Sequence, residues 1–214
     1  MADTQLVIGN KNYSSWSLRA WLALAQTGLP FDEVVIPLDR PDTADAIHAY
    51  SPAGKVPVLQ DGELTVWDSL AIGEYLVERA PDAGLWPADA SARAFARSAT
   101  AEMHSGFAAL RREMPMDVRT RAPKTPDAAV RADIDRIVAI WDDCRARFGD
   151  GGPFLFGPFT LADAAYAPVA SRFVTYEVTL PATARAYVDA VMAHPPMRDW
   201  AAAAADEPWV IDDP

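Results

Sequence analysis

The chain has 214 residues, half of them apolar, which is enough to bury a sizeable core. Its formal net charge of −11 argues against a nucleic-acid or anionic-membrane partner, because both require a basic surface. The single cysteine, Cys144, excludes an internal disulfide, and the three histidines are too scattered to predict a metal site. Residues 1–9 lack the pattern of a secretory signal and no run is long enough to span a membrane, so we expect a cytoplasmic protein.

The first fifty residues alternate between strand and helix patterns. Residues 5–9 form a short apolar run typical of a buried strand, and apolar residues at helical spacing follow from Leu18. Gly28 and Pro30 end this helix. Residues 31–38 predict a second strand covered on both faces, and residues 43–50 a weaker helix.

Residues 51–76 carry three signals at fixed offsets. Val56-Pro57 opens an apolar strand, where a proline is tolerated at the first position or at an edge. Asp61-Gly62 is a strong hairpin signal, and the residues after it supply a return strand. Asp68-Ser69 stands directly before an apolar run at helical spacing, which predicts a helix N-terminus suited to an anion.

The rest of the chain has only helical periodicity. We predict a linker over residues 81–88, followed by one long helix over residues 90–113 that Pro115 ends. Thr125-Pro126-Asp127 indicates the start of a second helix, and Thr160 with Asp163 forms a capping box at the start of a third. Two more helices, over residues 181–193 and 196–205, complete the chain.

The order and spacing of Val56-Pro57 and Asp68-Ser69 resemble the glutathione-binding half of the glutathione S-transferases. The resemblance implies an α/β plus all-α architecture: a thioredoxin-like N-terminal domain (1–80), the linker (81–88) and an all-helical C-terminal domain (89–214). It also implies a homodimer. It assigns glutathione as co-substrate, with the backbone beside cis-Pro57 binding the cysteinyl unit. Asp68 and Ser69 would hold the γ-glutamyl end, and Lys55 would face the glycine carboxylate.

Residues 14–24 resemble the zeta-class signature Ser-Ser-Cys-x-Trp-Arg-Val-Arg-Ile-Ala-Leu of that family. Aligned on Arg19, Ser14 takes the place of the catalytic serine, with Ser15 as the other candidate. Trp16 and Leu18 replace the family's cysteine and aromatic residue, which fits an unclassified bacterial subgroup better. Such a serine would donate a hydrogen bond to the glutathione thiolate. The alternative is that these serines only cap the helix.

The second substrate of such an enzyme is a small hydrophobic electrophile, expected between the domains. Trp16, Met103, His104, Phe107 and Arg111 are the candidate lining residues, although an apolar stripe of this kind is more often core or dimer surface. Two other functions stay open: a glutathione-dependent isomerase, of the maleylacetoacetate-isomerase type, or dehalogenase, and a non-catalytic binding or stress protein on the same fold.

Overall fold

A computed structural model describes residues 3–211 of the chain. The outer ends of the two expected domains, residues 1–2 and 212–214, lie outside the described residues. The element order agrees with the alternation of strands and helices expected for the first 80 residues and with the helical pattern expected after them.

The N-terminal part is built on a four-stranded mixed sheet. Its strands are β1 (Thr4–Gly9), β2 (Asp32–Ile36), β3 (Val58–Asp61) and β4 (Leu64–Trp67), in the order β2-β1-β3-β4. β1 pairs parallel with β2 and antiparallel with β3, and β3 pairs antiparallel with β4. The predicted hairpin joins β3 to β4, and its glycine, Gly62, has the positive φ of 59° that favours this residue. This is the expected thioredoxin-like sheet.

Alternation along β1 explains why both faces of the sheet are covered. Leu6 and Ile8 point into the main core, while Val7 belongs to a second, smaller core on the opposite face. The main-core face packs against α1 (Ser15–Thr27) and α3 (Ser69–Arg79), and the other face packs against α2 (Thr43–His48).

The C-terminal part is helical, and one buried helix organises it. α7 (Leu161–Thr175) is enclosed along nearly its whole length, packs against α1, and lets the main core run without interruption from the sheet into the helices. Its capping box is present as predicted: the Asp163 carboxylate accepts from the Thr160 N–H at 2.8 Å. The helices are α4 (Ala90–Ser105), α5 (Ala108–Glu113), α6 (Ala128–Phe148), α7 (Leu161–Thr175), α8 (Ala182–Ala193) and α9 (Pro195–Asp206).

The prediction of one long helix over residues 90–113 was wrong. The chain breaks at Gly106, whose ψ of −169° is extended, and Phe107 then takes a left-handed φ of 62° before α5 begins. A Cβ at Gly106 would stand 2.8 Å from the carbonyl oxygen of Glu102, so this backbone turn requires glycine. The three- and four-residue apolar spacing continues across the break and conceals it.

The next helix begins two residues later than predicted, because its N-cap is Asp127 and not Thr125. α6 begins at Ala128, and Asp127, in extended conformation, accepts from the Val130 N–H at 2.8 Å. Thr125 and Pro126 therefore precede the helix, because Asp127 supplies the cap. Within residues 3–211, no helix is long and apolar enough to cross a membrane.

Candidate active site

A cleft of about 280 Å³ opens where the loop before β3, the start of α3, the first turn of α1 and the end of α4 meet. Seven of its lining residues come from the loop before β3 and from the β4–α3 junction, all within residues 51–76. The cleft is lined by Trp16, Ala53, Lys55, Val56, Pro57, Trp67, Asp68, Ser69 and His104.

The wall of the cleft beside the sheet is the segment that leads into β3. The Val56-Pro57 peptide bond is cis, and Pro57 is buried while Val56 is half-buried against the cleft. Lys55 is exposed at the rim, where its ammonium can meet an anionic group. An extended ligand lying along this segment would have backbone groups on one side and a cation at its end.

Asp68 uses its carboxylate in two directions. Oδ1 accepts the N–H of Leu70 at 2.8 Å and so caps α3, while Oδ2 lies 3.4 Å from Nε2 of His104 across the cleft. Its backbone has φ 72° and ψ 133°, a conformation that non-glycine residues rarely adopt and that concentrates at ligand-binding positions. Capping and ligand binding are therefore compatible at this residue.

Ser69 is buried at the first position of α3, beside the capping carboxylate. The first turn of α3 carries neutral side chains after this residue, and the capping carboxylate of Asp68 offsets part of the positive potential that the helix N-terminus presents to the cleft. Lys55 and the α3 N-terminus can each receive a carboxylate, and Asp68 can receive an ammonium. The cleft suits a ligand with two anionic ends and one cationic group, on a protein with a net charge of −11.

Ser14 is the N-cap of α1 and belongs to a pair of hydroxyl groups. Its Oγ accepts the N–H of Ser17 at 3.3 Å and lies 2.7 Å from the Oγ of Ser17, which in turn accepts the N–H of Gly9 at 3.0 Å. Either hydroxyl can donate across the 2.7 Å contact, because hydroxyl hydrogens rotate. If Ser17 donates, the hydrogen of Ser14 is free for another acceptor. Ser17 was not among the predicted site residues.

The loop before Ser14 is held by the C-terminal segment of the chain. The carboxylate of Glu207 accepts the backbone N–H groups of Lys11 at 2.6 Å and Asn12 at 3.1 Å. Arg119 donates to the carbonyl oxygens of Glu207 and Trp209 at 2.8 and 2.9 Å. The contacts of the Glu207 carboxylate join positions 196 and 195 residues apart, and nothing in the local sequence predicts them.

The hydroxyl of Tyr13, the residue before Ser14, points toward this C-terminal segment. It accepts the backbone N–H of Ile211 at 3.3 Å and a guanidinium N–H of Arg119 at 3.3 Å. Ser15 is buried at the first position of α1, with its backbone N–H on the carbonyl oxygen of Tyr13. Among the described residues that line the cleft, neither serine of the predicted catalytic pair is included.

Of the five residues expected to line a second-substrate pocket, only Trp16 and His104 line the cleft. Their rings meet edge to face, with centroids 5.0 Å apart. Met103 and Phe107 are packed in the main core: Met103 lies on the buried face of α4, and Phe107 is buried at the left-handed position that follows Gly106. Arg111 caps the end of α4: it donates to the carbonyl oxygens of Gly106, at 2.9 Å, and Met103.

Arg19 was used only to align residues 14–24 with the family signature and was not among the predicted site residues. Its guanidinium is buried and stacks on Trp16, with 4.2 Å between its central carbon and the ring centroid. One signal in the sequence could have identified Arg19. It lies four residues after Ser15, on the face of α1 that also carries apolar residues, and a charge on a predicted core face calls for an explanation.

Two protein-family models match separate parts of the chain. Residues 13–79 match a family model described as "Glutathione S-transferase, N-terminal domain", and residues 127–203 match one described as "Glutathione S-transferase, C-terminal domain". Together the two models cover more than half of the chain.

Three proteins illustrate what the chain is similar to. A dichloromethane dehalogenase of Methylorubrum extorquens is 42% identical over 60 residues, 27% of this chain and 21% of that protein. Glutathione S-transferase Z2 of Arabidopsis thaliana is 35% identical over 102 residues, 45% of this chain and 46% of the relative. The matches thus span less than half the length of these relatives. A glutathione transferase homolog from Burkholderia GL BGR1, solved with bound glutathione, has a TM-score of 0.72 at 25% identity, covering 95% of this chain and 98% of that one.

Proposed function

The chain belongs to the glutathione S-transferase family, and on that basis we propose that it binds glutathione and transfers its sulfur to a small hydrophobic electrophile. The observation that carries the proposal is the charge pattern of the cleft. Glutathione has two carboxylates, one ammonium group and a peptide backbone between them. Lys55, the N-terminus of α3 and Asp68 all lie at the cleft and offer the complementary groups.

In the proposed binding mode the cysteinyl unit lies along Val56, with backbone hydrogen bonds of the kind an added strand makes. Asp68 and Ser69 hold the γ-glutamyl end, and Lys55 meets the glycine carboxylate. The Oδ2 atom of Asp68, which faces His104 at 3.4 Å, is the oxygen available to the ligand ammonium, because Oδ1 is engaged in the cap.

The chemical task of the site is to ionise the glutathione thiol. An unperturbed thiol has a pKa near 8.5, so only a few per cent is thiolate at neutral pH. Lowering that pKa by about two units requires ~2.7 kcal/mol of preferential stabilisation of the anion. We assign this stabilisation to a hydrogen bond from Ser14, and to the N-terminus of α1, whose first turn consists of neutral side chains.

Ser17 makes this assignment chemically consistent. A serine that donates to Ser17 cannot also donate to sulfur, since a hydroxyl has one hydrogen. When the thiolate is present, Ser17 donates to Ser14 across the 2.7 Å contact while it still accepts from the Gly9 N–H. The hydrogen of Ser14 then points at sulfur, and the thiol proton leaves to solvent. The thiolate attacks the electrophilic carbon, and the leaving group departs with the bonding electron pair.

A glutathione-dependent dehalogenase is the second candidate, because the 42% identity to the dichloromethane dehalogenase is the highest of the three matches described above. An isomerase that recovers glutathione unchanged is a further possible outcome. A homodimer and a cytoplasmic location remain parts of the proposal, drawn from the family.

The test is to incubate the purified protein with glutathione and a panel of electrophiles: an activated aryl chloride, a dihalomethane and a cis-configured unsaturated diketo acid. Formation of the thioether conjugate supports the proposed transferase. Halide release with glutathione regenerated would favour the dehalogenase, and geometric isomerisation without glutathione consumption would favour the isomerase. Saturable glutathione binding with no turnover of any compound would contradict the enzymatic proposal and indicate a binding protein.

A further inference from the structure

A second, much smaller pocket lies beside the glutathione cleft, between α1, α3, α4 and α7. Its volume is about 20 Å³, and it shares Ser69 and His104 with the cleft. A space of about 10–15 Å³ by this measure holds one water-sized group. The pocket therefore fits a single small group, such as one carboxylate oxygen. It is lined by Arg19, Ala23, Ser69, Leu70, Gly73, Thr100, His104, Leu161, Ala164 and Ala165.

Within residues 3–211, two polar side chains of this pocket have hydrogen-bonding atoms without a partner. Arg19 is only 4% exposed, and its Nε donates to the carbonyl oxygen of Ala165 at 3.1 Å. Both of its terminal nitrogens are buried without a partner among the described residues, as is the hydroxyl of Thr100. Trp16 covers the flat face of the guanidinium, so the donors at its edge remain available to a ligand.

The charge of Arg19 is not balanced by the protein around it. Burial lowers the pKa of Arg19 well below its usual range, and the neighbouring charges of Arg111 and Arg172 lower it further, whereas Asp68 acts in the opposite direction. A buried charge without a partner opposes folding, so its presence calls for a compensating anion.

Arg172 shows that burial alone does not explain these free donors. It is also 4% exposed, yet its Nε donates to the carbonyl oxygen of Met114 at 2.8 Å and its Nη1 to that of Pro168 at 3.2 Å. Arg172 thus binds backbone carbonyls within the core. Arg19, by contrast, lines a pocket with both terminal nitrogens unpaired in the described part of the chain.

We propose that this pocket is a carboxylate subsite: one oxygen of a ligand carboxylate enters it and accepts hydrogen bonds from Arg19 and Thr100. The proposal rests on the glutathione function above and adds a binding residue, Arg19, to it. The carboxylate has two possible sources, the γ-glutamyl end of glutathione, because Ser69 is shared between cleft and pocket, or an acidic electrophile.

The first arm of the test compares glutathione with γ-aminobutyryl-cysteinyl-glycine, which lacks the γ-glutamyl carboxylate and keeps the ammonium group. Titration calorimetry on wild type, Arg19→Met and Arg19→Lys gives the affinities. If glutathione supplies the carboxylate, Arg19→Met should bind glutathione at least about tenfold more weakly and bind the analogue within about twofold of wild type, with partial recovery in Arg19→Lys. Arg172→Met is the matched control and should keep the wild-type preference.

The second arm compares electrophiles with and without a carboxylate. If the electrophile supplies the group, Arg19→Met should leave glutathione affinity unchanged and remove the preference in kcat/KM for the acidic substrate. If Arg19→Met changes neither the affinity for glutathione nor the preference in kcat/KM for the acidic substrate, the proposal is overturned.

Formate serves as a probe that does not depend on glutathione. At matched ionic strength it should raise the melting temperature of wild type but not of Arg19→Met, even if glutathione does not bind, so this result separates the subsite from the proposed function. An equal response of both proteins would count against the subsite. If Arg19→Met does not fold, the same three comparisons are made with Thr100→Val, which removes the other free donor.

Discussion

Replacing Asp68 by asparagine should separate the two roles of its carboxylate. In the wild type, Oδ1 of Asp68 accepts the Leu70 N–H at 2.8 Å, and asparagine keeps an oxygen that can accept the same N–H. Asparagine also tolerates the positive φ of 72° as well as aspartate does. It loses the negative charge that faces the cleft. Asp68→Asn should therefore fold as stably as the wild type and bind glutathione more weakly.

The expected loss follows from the exposure of the group. A hydrogen bond to a charged partner contributes about 1.5–3 kcal/mol, but the Asp68 side chain is 48% exposed, so solvent screening lowers the range to about 1–2 kcal/mol. This corresponds to a roughly 5- to 30-fold increase in Kd. Asp68→Ala should show the same loss of affinity and in addition a loss of roughly 1 kcal/mol in stability, because the cap is removed.

Titration calorimetry with glutathione and thermal unfolding of the free protein are the two assays. Asp127→Asn is the control, since Asp127 caps α6 at the same 2.8 Å distance but does not line the cleft. An Asp68→Asn protein with wild-type affinity would refute the reasoning and leave Asp68 as a helix cap only.

Three further substitutions test separate parts of the structure. Ser17→Ala should raise the thiol pKa of bound glutathione by less than Ser14→Ala does. It should also lower the stability of the protein by ~1–3 kcal/mol, because the Gly9 N–H loses its acceptor. A thiol pKa that Ser17→Ala leaves unchanged in ultraviolet titration would contradict the role of the serine pair. Cys144→Ala should keep kcat/KM within about twofold, because burial raises the pKa of this thiol to about 12 and leaves it neutral; loss of turnover would overturn the serine mechanism. Asp163→Ala should destabilise the protein by about 3–5 kcal/mol in denaturant unfolding, since its carboxylate accepts four hydrogen bonds in the core; a change below 1 kcal/mol would show that the network is dispensable.

The sequence predicted the features that depend on local chemistry. The cap at Ser14, the stop at Gly28 and the Val56-Pro57 strand entry each result from a property of one or two residues, and each lies where it was expected. The cleft forms around the two dipeptides singled out in residues 51–76, because the hairpin between them brings their ends together.

The sequence did not predict the features that depend on distant contacts. The break at Gly106 is hidden because hydrophobic periodicity does not register one backbone turn, and Phe107, directly after it, is buried in the core. Likewise, the contact of Glu207 with the loop before Ser14 depends on how the C-terminal segment folds back. The free donors of Arg19 become visible only when its neighbours are known.

The most direct test of the account is a pH titration of protein-bound glutathione by thiolate ultraviolet absorbance, on wild type and Ser14→Ala in parallel. We predict a bound thiol pKa about two units below the free value near 8.5 in the wild type. In Ser14→Ala it should return most of the way toward the free value, with glutathione affinity unchanged within a few fold. A pKa equally lowered in both proteins would contradict the role of Ser14, and a thiol that binds with no shift in either would contradict thiolate activation by this protein.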